Sequence, residues 1–293
     1  MAEAWRERAI VLLEMKDWQG LLDWCGNWTK NEPENFFAWY LLGFAYGGLI
    51  RHNDAIEAYR QALHINPEDA DAWYSLGNAY NNLKRYGEAT EAFHQSLRIN
   101  SEDADALNNL GIAYINLKRY DEAIEAFRQA LRINPEYAEA LNNLGGAYDE
   151  LKHYDDAIEA FRQALCINPE YAGAWYNQGI AYDELHRYDE AAEAFRQALR
   201  INPEHANALN NLGITYVNLK RHDEAAEAFR QALRINPEYA DAWYNLGNAC
   251  VTLECYDDAI EAYRQVLRIN PENADAWNNL VNANDLSGNW KFA

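Results

Sequence analysis

The chain has 293 residues, of which 49% are apolar and 13% aromatic, and a formal net charge of −21. Such an acid excess repels polyanions on average, which excludes nucleic acid and anionic membrane surfaces as partners and favours basic proteins or peptides. Acids also interrupt the first residues, Met1–Gly20, so neither a signal peptide nor a membrane span is expected, and the reading is a soluble, cytoplasmic protein.

The prolines set the frame. Pro33, Pro67, Pro135, Pro169, Pro203, Pro237 and Pro271 recur at a step of 34 residues or twice that, with Ser101 in the gap. A fixed period of this length is the signature of a stacked-repeat architecture. Residues 1–35 fit the frame in degenerate form, with Trp5, Ala9, Leu12, Trp18, Leu21, Cys25 and Trp28 in place, and read as a divergent amino-terminal repeat or cap. Seven repeats follow at 36–69, 70–103, 104–137, 138–171, 172–205, 206–239 and 240–273. Residues 274–293 supply one more first helix, with Trp277, Leu280 and Val281, as a capping helix or partial repeat. Trp290–Ala293 reads as the first turn of an incomplete second helix.

Repeat 104–137 shows how one unit folds. Leu107, Leu110, Gly111 and Tyr114 fall at i, i+3, i+4 and i+7, the buried stripe of a first helix, A. Lys118 and Arg119 make a turn. Ala123, Ile124, Phe127, Ala130 and Leu131 form the stripe of a second helix, B, with Asp121 and Glu122 in its first turn and Arg132 in its last, the polarity favoured by the helix dipole. Pro135 stops helix B, and Asn134 is expected to cap the next helix A. Gly111, Ala123 and Ala130 recur as Gly145, Ala157 and Ala164 and as Gly213, Ala225 and Ala232, small residues where two helices approach closely. Cys25, Cys166, Cys250 and Cys255 share no repeat offset and no zinc or thioredoxin spacing, so buried or part-buried reduced thiols are expected.

The order Trp or Leu, Leu-Gly, Tyr, Ala, aromatic, Ala and Pro resembles the tetratricopeptide repeat family. Trp73, Leu76, Gly77, Tyr80, Ala89, Phe93 and Ser96 carry it, as do Trp175, Gly179, Tyr182, Ala191, Phe195, Ala198 and Pro203. The resemblance implies an all-α, right-handed superhelical solenoid of stacked helix-turn-helix units that binds proteins along a concave groove lined by helices A.

Counted from each repeat's first residue, offsets 2, 5, 6, 9, 12 and 13 lie opposite the buried stripe. Offset 6 is Asn109, Asn143, Asn177, Asn211, Asn245 and Asn279, with Ser75 and Leu41 toward the amino terminus. An amide can bond both N–H and C=O of an extended peptide. The row is similar to the asparagine ladder in the repeat domain of O-linked N-acetylglucosamine transferase; the plainer alternative is that Asn is a soluble choice there. Tyr74, Asn108, Asn142, Tyr176, Asn210 and Tyr244 at offset 5 and Asn78 at offset 9 complete the candidate peptide-binding groove. Between Phe36 and Asn273, every Lys and Arg sits at offset 15, 16, 25 or 29, in the turn or on helix B. The groove stripe carries acids instead, and Asp149, Glu150, Asp183 and Glu184 are expected to form a patch for a Lys- or Arg-containing segment. Excess acid also serves solubility alone. A carboxylate clamp built from Lys and Arg on helix A is excluded.

Phe37, Tyr40, Leu41 and Phe44 place apolar surface on the groove side near Ile10 and Leu13. It reads as a pocket for an apolar anchor, a self-association surface, or packing of the cap on its neighbour. The histidines scatter over unrelated offsets, no Ser has a suggestive His and acid nearby, and no glycine-rich phosphate loop occurs. No catalysis, metal or cofactor is therefore expected. The reading is a protein-interaction scaffold, with a self-associating structural scaffold or the targeting arm of a larger enzyme, such as a glycosyltransferase, as alternatives.

Overall fold

The computed structural model describes residues 2–288, with side chains from Trp5 onward; the turn expected at Trp290–Ala293 lies outside the described residues. Among those residues the chain is all helix, seventeen in number, and it divides into two compact units, Met1–Leu151 and Lys152–Ala293. The first unit holds α1 (Ala2–Glu14), α2 (Trp18–Asn31), α3 (Phe36–Gly48), α4 (His52–Ile65), α5 (Ala70–Asn82), α6 (Tyr86–Ile99), α7 (Ala104–Asn116), α8 (Tyr120–Ile133) and α9 (Ala138–Glu150). The second holds α10 (Tyr154–Ile167), α11 (Ala172–Glu184), α12 (Tyr188–Ile201), α13 (Ala206–Asn218), α14 (His222–Ile235), α15 (Ala240–Thr252), α16 (Tyr256–Ile269) and α17 (Ala274–Ser287). Odd-numbered helices from α3 onward are helices A and even-numbered ones helices B. Each unit is a repeat solenoid in which a helix packs on its hairpin partner and on the next helix in sequence.

The small residues act as expected from their size. A Cβ added to Gly111 would lie 2.5 Å from the Phe127 ring, and one added to Gly213 2.5 Å from Phe229, so these positions admit the fully buried aromatic of helix B only because they lack a side chain. Val281 stands at the same offset in α17 and is 51% exposed. Two further positions belong to the core beyond the expected stripe. Ala106 and Ala113 are fully buried, as are Ala38, Ala45, Ala140, Ala147, Ala174 and Ala181 at the same offsets. Their periodicity was hidden by a residue type that is equally at home on a surface.

One expectation about the boundaries needs correcting. Asn134 does not cap the next helix; it ends helix B, and its Oδ1 accepts from the N–H of Glu136 at 3.2 Å in the turn around Pro135. The N-cap falls three residues later, at Tyr137, which makes no side-chain cap bond; at the same place in earlier repeats Asp103 Oδ1 accepts from Ala106 N–H at 2.9 Å and Asp69 from Ala72 at 2.9 Å. The turn is pinned again by tryptophan: Nε1 of Trp73, Trp175, Trp243 and Trp277 donates to the carbonyl of the proline six residues earlier at 2.8–3.0 Å.

The A-to-B turn places one residue in the left-handed region, Lys118 at φ 59° among them, and a 2.9 Å bond from Arg119 N–H to Tyr114 O closes it. The following arginine is held twice. Arg119 lies 4.5 Å over the Tyr114 ring and bonds Glu122 through Nε and Nη2 at 3.0 and 2.9 Å, and Arg187 and Arg221 repeat the pattern with Glu190 and Glu224. These pairs are half-exposed, so each stabilises by no more than about 0.2–1 kcal/mol. Three repeats depart from Lys in the left-handed position, with Ile50, His186 and Glu254, and of these β-branched Ile50 sits at φ 60° and is 79% exposed. An L side chain pays about 1–2 kcal/mol for that conformation. Ile50→Gly is expected to raise stability by about 1 kcal/mol, read as a higher urea midpoint at unchanged m-value.

All four cysteines are free. Cys25 and Cys250 are buried, with burial pushing their thiols up to about 12 and about 11, whereas Cys166 and Cys255 are exposed rather than part-buried.

Candidate binding face of the helices A

The eight helices A from α3 to α17 contain no Lys, Arg or His, and every charged residue on them is Asp or Glu. Cations are confined to the turns and helices B because there they meet helix C-termini, tyrosine rings and helix-B glutamates. The helix-A face is thereby left with carboxylates, amides, tyrosines and a few apolar side chains.

The structure orders that face by hydrogen bonds between repeats. In the first unit, Asn109 Nδ2 donates to Tyr74 Oη at 3.1 Å and to Asn78 Oδ1 at 2.9 Å, while Asn143 Nδ2 donates to Asn108 Oδ1 at 3.0 Å. In the second, Asn211 Nδ2 donates to Tyr176 Oη at 3.2 Å, Asn245 Nδ2 to Asn210 Oδ1 at 3.1 Å, and Asn279 Nδ2 to Tyr244 Oη at 3.2 Å and Asn248 Oδ1 at 3.1 Å. Each offset-6 amide in these pairs thus points back at the repeat before it. Asn108 and Asn210, expected on the open groove, are buried at 1% and 4% exposure, because the next repeat's amide closes over them. Asn142 and Asn177 occupy the same two offsets on α9 and α11 and are half-buried.

The acids are also oriented by neighbouring repeats. Asp105 accepts from Tyr137 Oη at 2.7 Å, Glu150 from Tyr120 Oη at 3.0 Å, and Glu184 from Tyr154 Oη at 3.2 Å. Burial, then the bond to Asp105, drives the Tyr137 phenol upward. The four residues expected to form one acidic patch fall in two units: Asp149 and Glu150 end α9 in the first, and Asp183 and Glu184 end α11 in the second. Asp183 is half-buried and accepts from Thr215 Oγ1 at 3.0 Å; desolvation raises its pKa above the usual 3.8, and the Thr215 bond opposes that. A raised folded pKa means that the protonated form favours the fold. Stability from this group is therefore full below its ordinary pKa and is lost as pH rises through the folded value. Asp183→Asn is expected to raise the Tm at neutral pH and to lose that advantage below about 3.8.

Asp183 and Glu184 border a cavity of about 210 Å³ whose other walls are Ile180, Phe195, Asn211 and Ile214. A second, of about 510 Å³, lies between α15, α16 and α17 and is lined by Asn248, Val251, Tyr263, Asn279, Asn282, Asp285 and Leu286. Ile180, Ile214, Asn248 and Tyr263 are additions to the expected set. The first three occupy offset 9, and Tyr263 replaces the usual core Phe so that its hydroxyl donates to Asn248 Oδ1 at 2.8 Å. That Phe-to-Tyr exchange was the available signal in the sequence.

At the amino-terminal end the four apolar candidates separate. Leu41 is not available to a ligand: it is 7% exposed and shares a core cluster with Ala9 and Leu12 of α1 and Leu21, Cys25 and Trp28 of α2, both of which pack on α3. Tyr40 and Phe44 are half-buried against one another and Tyr59, at ring separations of 5.1, 6.0 and 6.1 Å. Phe37 is 41% exposed beneath the Arg6 guanidinium, 4.4 Å from its ring. Hollows also run between successive helices B, such as one of about 400 Å³ over Leu199, Leu209 and Leu212, rimmed by both signs of charge in Arg196 and Glu224. No group of His, Cys, Asp and Glu able to hold a metal occurs among the described residues, and no helix there is long and apolar enough to cross a membrane.

Antiparallel hairpins stacked at a fixed period, with glycine against a helix-B aromatic and a face of helices A in each unit, define a helical-hairpin repeat solenoid. Tetratricopeptide repeat models match residues 51–84, 68–136 and 240–273, and residues 106–238 match the C-terminal domain of cilia and flagella-associated protein 70. Those stretches of the chain are thus tetratricopeptide repeats. Among solved structures it is similar to MamA, at 27% identity over 56% of this chain and 96% of that one with a TM-score of 0.53. It is also similar to YrrB, described as a tetratricopeptide repeat protein with an unusual peptide-binding site, at 26% identity over 64% of this chain and 96% of that one with a TM-score of 0.54. PilF of Pseudomonas aeruginosa shares the fold, at 21% identity over 73% and 97% of the two chains with a TM-score of 0.64. No curated protein sequence matches the chain significantly.

Proposed function

We propose that this protein is an interaction scaffold whose helix-A face takes an extended polypeptide segment containing Lys or Arg. The observation that carries the reading is the charge segregation: eight consecutive helices A without one cation, beside carboxylates that neighbouring repeats hold in place. A basic side chain laid in the cavity between α11 and α13 would place its stem against Ile180 and Ile214 and its head near Asp183 and Glu184. The description of YrrB as a peptide-binding protein agrees with a peptide ligand. The test is charge reversal: Asp183→Lys with Glu184→Lys should weaken binding of a Ser-Lys repeating peptide at least tenfold. Glu204→Lys with Glu272→Lys, the same charge change away from the cavity, should leave most of the affinity intact. Equal loss in both pairs would reduce the effect to net charge and remove the site.

A second reading, self-association, is favoured by the apolar surface that α17 leaves outside the stack, Trp277 at 52% and Val281 at 51% exposure. Under it, light scattering would show a mass that grows with concentration, and Val281→Asp would abolish the growth.

A further inference from the structure

We infer that the asparagine row is spent as a donor on joining one repeat to the next, so that the helix-A face offers its partner hydrogen-bond acceptors and recognises that partner through N–H groups. The inference rests on the helix-A face being the binding surface, and it names the chemistry of what binds there. A primary amide has two N–H donors. Asn109 directs both to Tyr74 and Asn78, and Asn279 directs both to Tyr244 and Asn248, at 2.9–3.2 Å. Asn143 and Asn245 each direct a donor to a buried asparagine oxygen of the preceding repeat. A ligand carbonyl that claimed these N–H groups would have to break the contact between repeats and leave a half-buried oxygen unpaired, at a cost of about 1–3 kcal/mol per site.

No Lys, Arg or His lies on these helices, so the face has no cationic donor and only neutral ones, such as the hydroxyls of Tyr74, Tyr176 and Tyr244, remain. The charged groups left to meet a ligand are carboxylates, such as those of Asp183 and Glu184 at the cavity between α11 and α13. A bidentate grip on both N–H and C=O of a peptide is therefore not what this row provides. The fitting partner is donor-rich: a stretch of Lys or Arg presented on extended backbone. A phosphorylated or acidic segment, and a free carboxylate terminus, meet carboxylates and no cation and are rejected by charge as well as by incompletely paired desolvation.

The test follows the side-chain Nδ2 groups of Asn109, Asn211 and Asn279 by NMR in the full chain, with a Ser-Lys repeating peptide and its Ser-Glu counterpart as probes. The expected result has four parts. The Nδ2 protons exchange slowly in the free protein, the Ser-Lys peptide binds and shifts helix-A resonances, the Nδ2 protons stay protected, and the Ser-Glu peptide does not bind. New hydrogen bonds from Nδ2 to the peptide, or equal binding of Ser-Glu, would overturn the inference while leaving the helix-A face as a binding site. Binding of Ser-Lys with shifts confined to helices B would instead overturn the proposed function, and the inference with it. Asn109→Asp provides a further check, with its folding verified by urea unfolding beforehand: Asp keeps the acceptors and can accept from Tyr74, while the bond to Asn78 is lost. It should bind the Ser-Lys peptide as well as wild type or better, and a tenfold weakening would show that the Asn109 donor is needed by the ligand.

Discussion

Phe127→Ala is expected to destabilise the first unit by about 3–5 kcal/mol, the usual cost of emptying a fully buried aromatic site. The loss is large because the ring fills the space left by Gly111, so the wall opposite cannot collapse inward without moving a helix. Gly111→Ala tests the other side of the same contact. Its helix propensity alone would stabilise by about 1 kcal/mol. The new Cβ, however, would sit 2.5 Å from a ring that is itself fully buried, and overpacking of that kind costs about 1–3 kcal/mol. The clash should win. Combining Gly111→Ala with Phe127→Leu should cost less than the sum of the two, because the smaller side chain makes room for the methyl group. Urea unfolding of the four proteins checks this, and additive losses would contradict the account of why glycine recurs at that offset.

Leu41→Asp should cost at least about 3 kcal/mol, combining the lost apolar burial with a carboxyl placed where Leu12, Leu21 and Trp28 leave no water. In a solenoid each repeat touches only its neighbours, so the damage should be local: α1 and α2 melt in an early transition while later repeats keep their stability. Phe44→Asp, at a half-buried site, should cost less. Hydrogen exchange resolved along the chain separates these outcomes. A uniform loss of protection from α1 to α9 would show that the unit unfolds as a whole, and unchanged protection in Leu41→Asp would return that residue to the surface.

The repeat, its two helices and the close approach at glycine were legible because they follow from spacing: Pro at one step, Leu and Tyr at helical intervals, Gly always opposite a helix-B aromatic. Three features were less legible. Ala106 and Ala113 carry no hydrophobic signal strong enough to mark a buried stripe. The true cap lies three residues past the Asn that most resembles one, at Asp103 after Asn100 and at Tyr137 after Asn134, since each Asn finds its partner within the turn. The asparagine row was visible as a row, but the direction of its amides depends on the distance between successive helices A, and a single repeat's sequence does not hold that distance. Asn108 reads as surface in the sequence for the same reason: its cover comes from Asn143, one repeat along. The charge segregation, by contrast, can be read directly from the chain, because a residue's offset fixes its face.

Mapping where a basic peptide touches the protein is the most direct test of the central claim. A Ser-Lys repeating peptide carrying a photoreactive diazirine at one lysine would be crosslinked to the protein and the attachment sites read by mass spectrometry. The account predicts crosslinks on helices A, concentrated on α11 and α13 around Asp183, Glu184 and Ile214, and their suppression by salt. Crosslinks confined to helices B, at Arg196, Leu199, Glu227 and Gln231 on the walls of the hollow between α12 and α14, would contradict it.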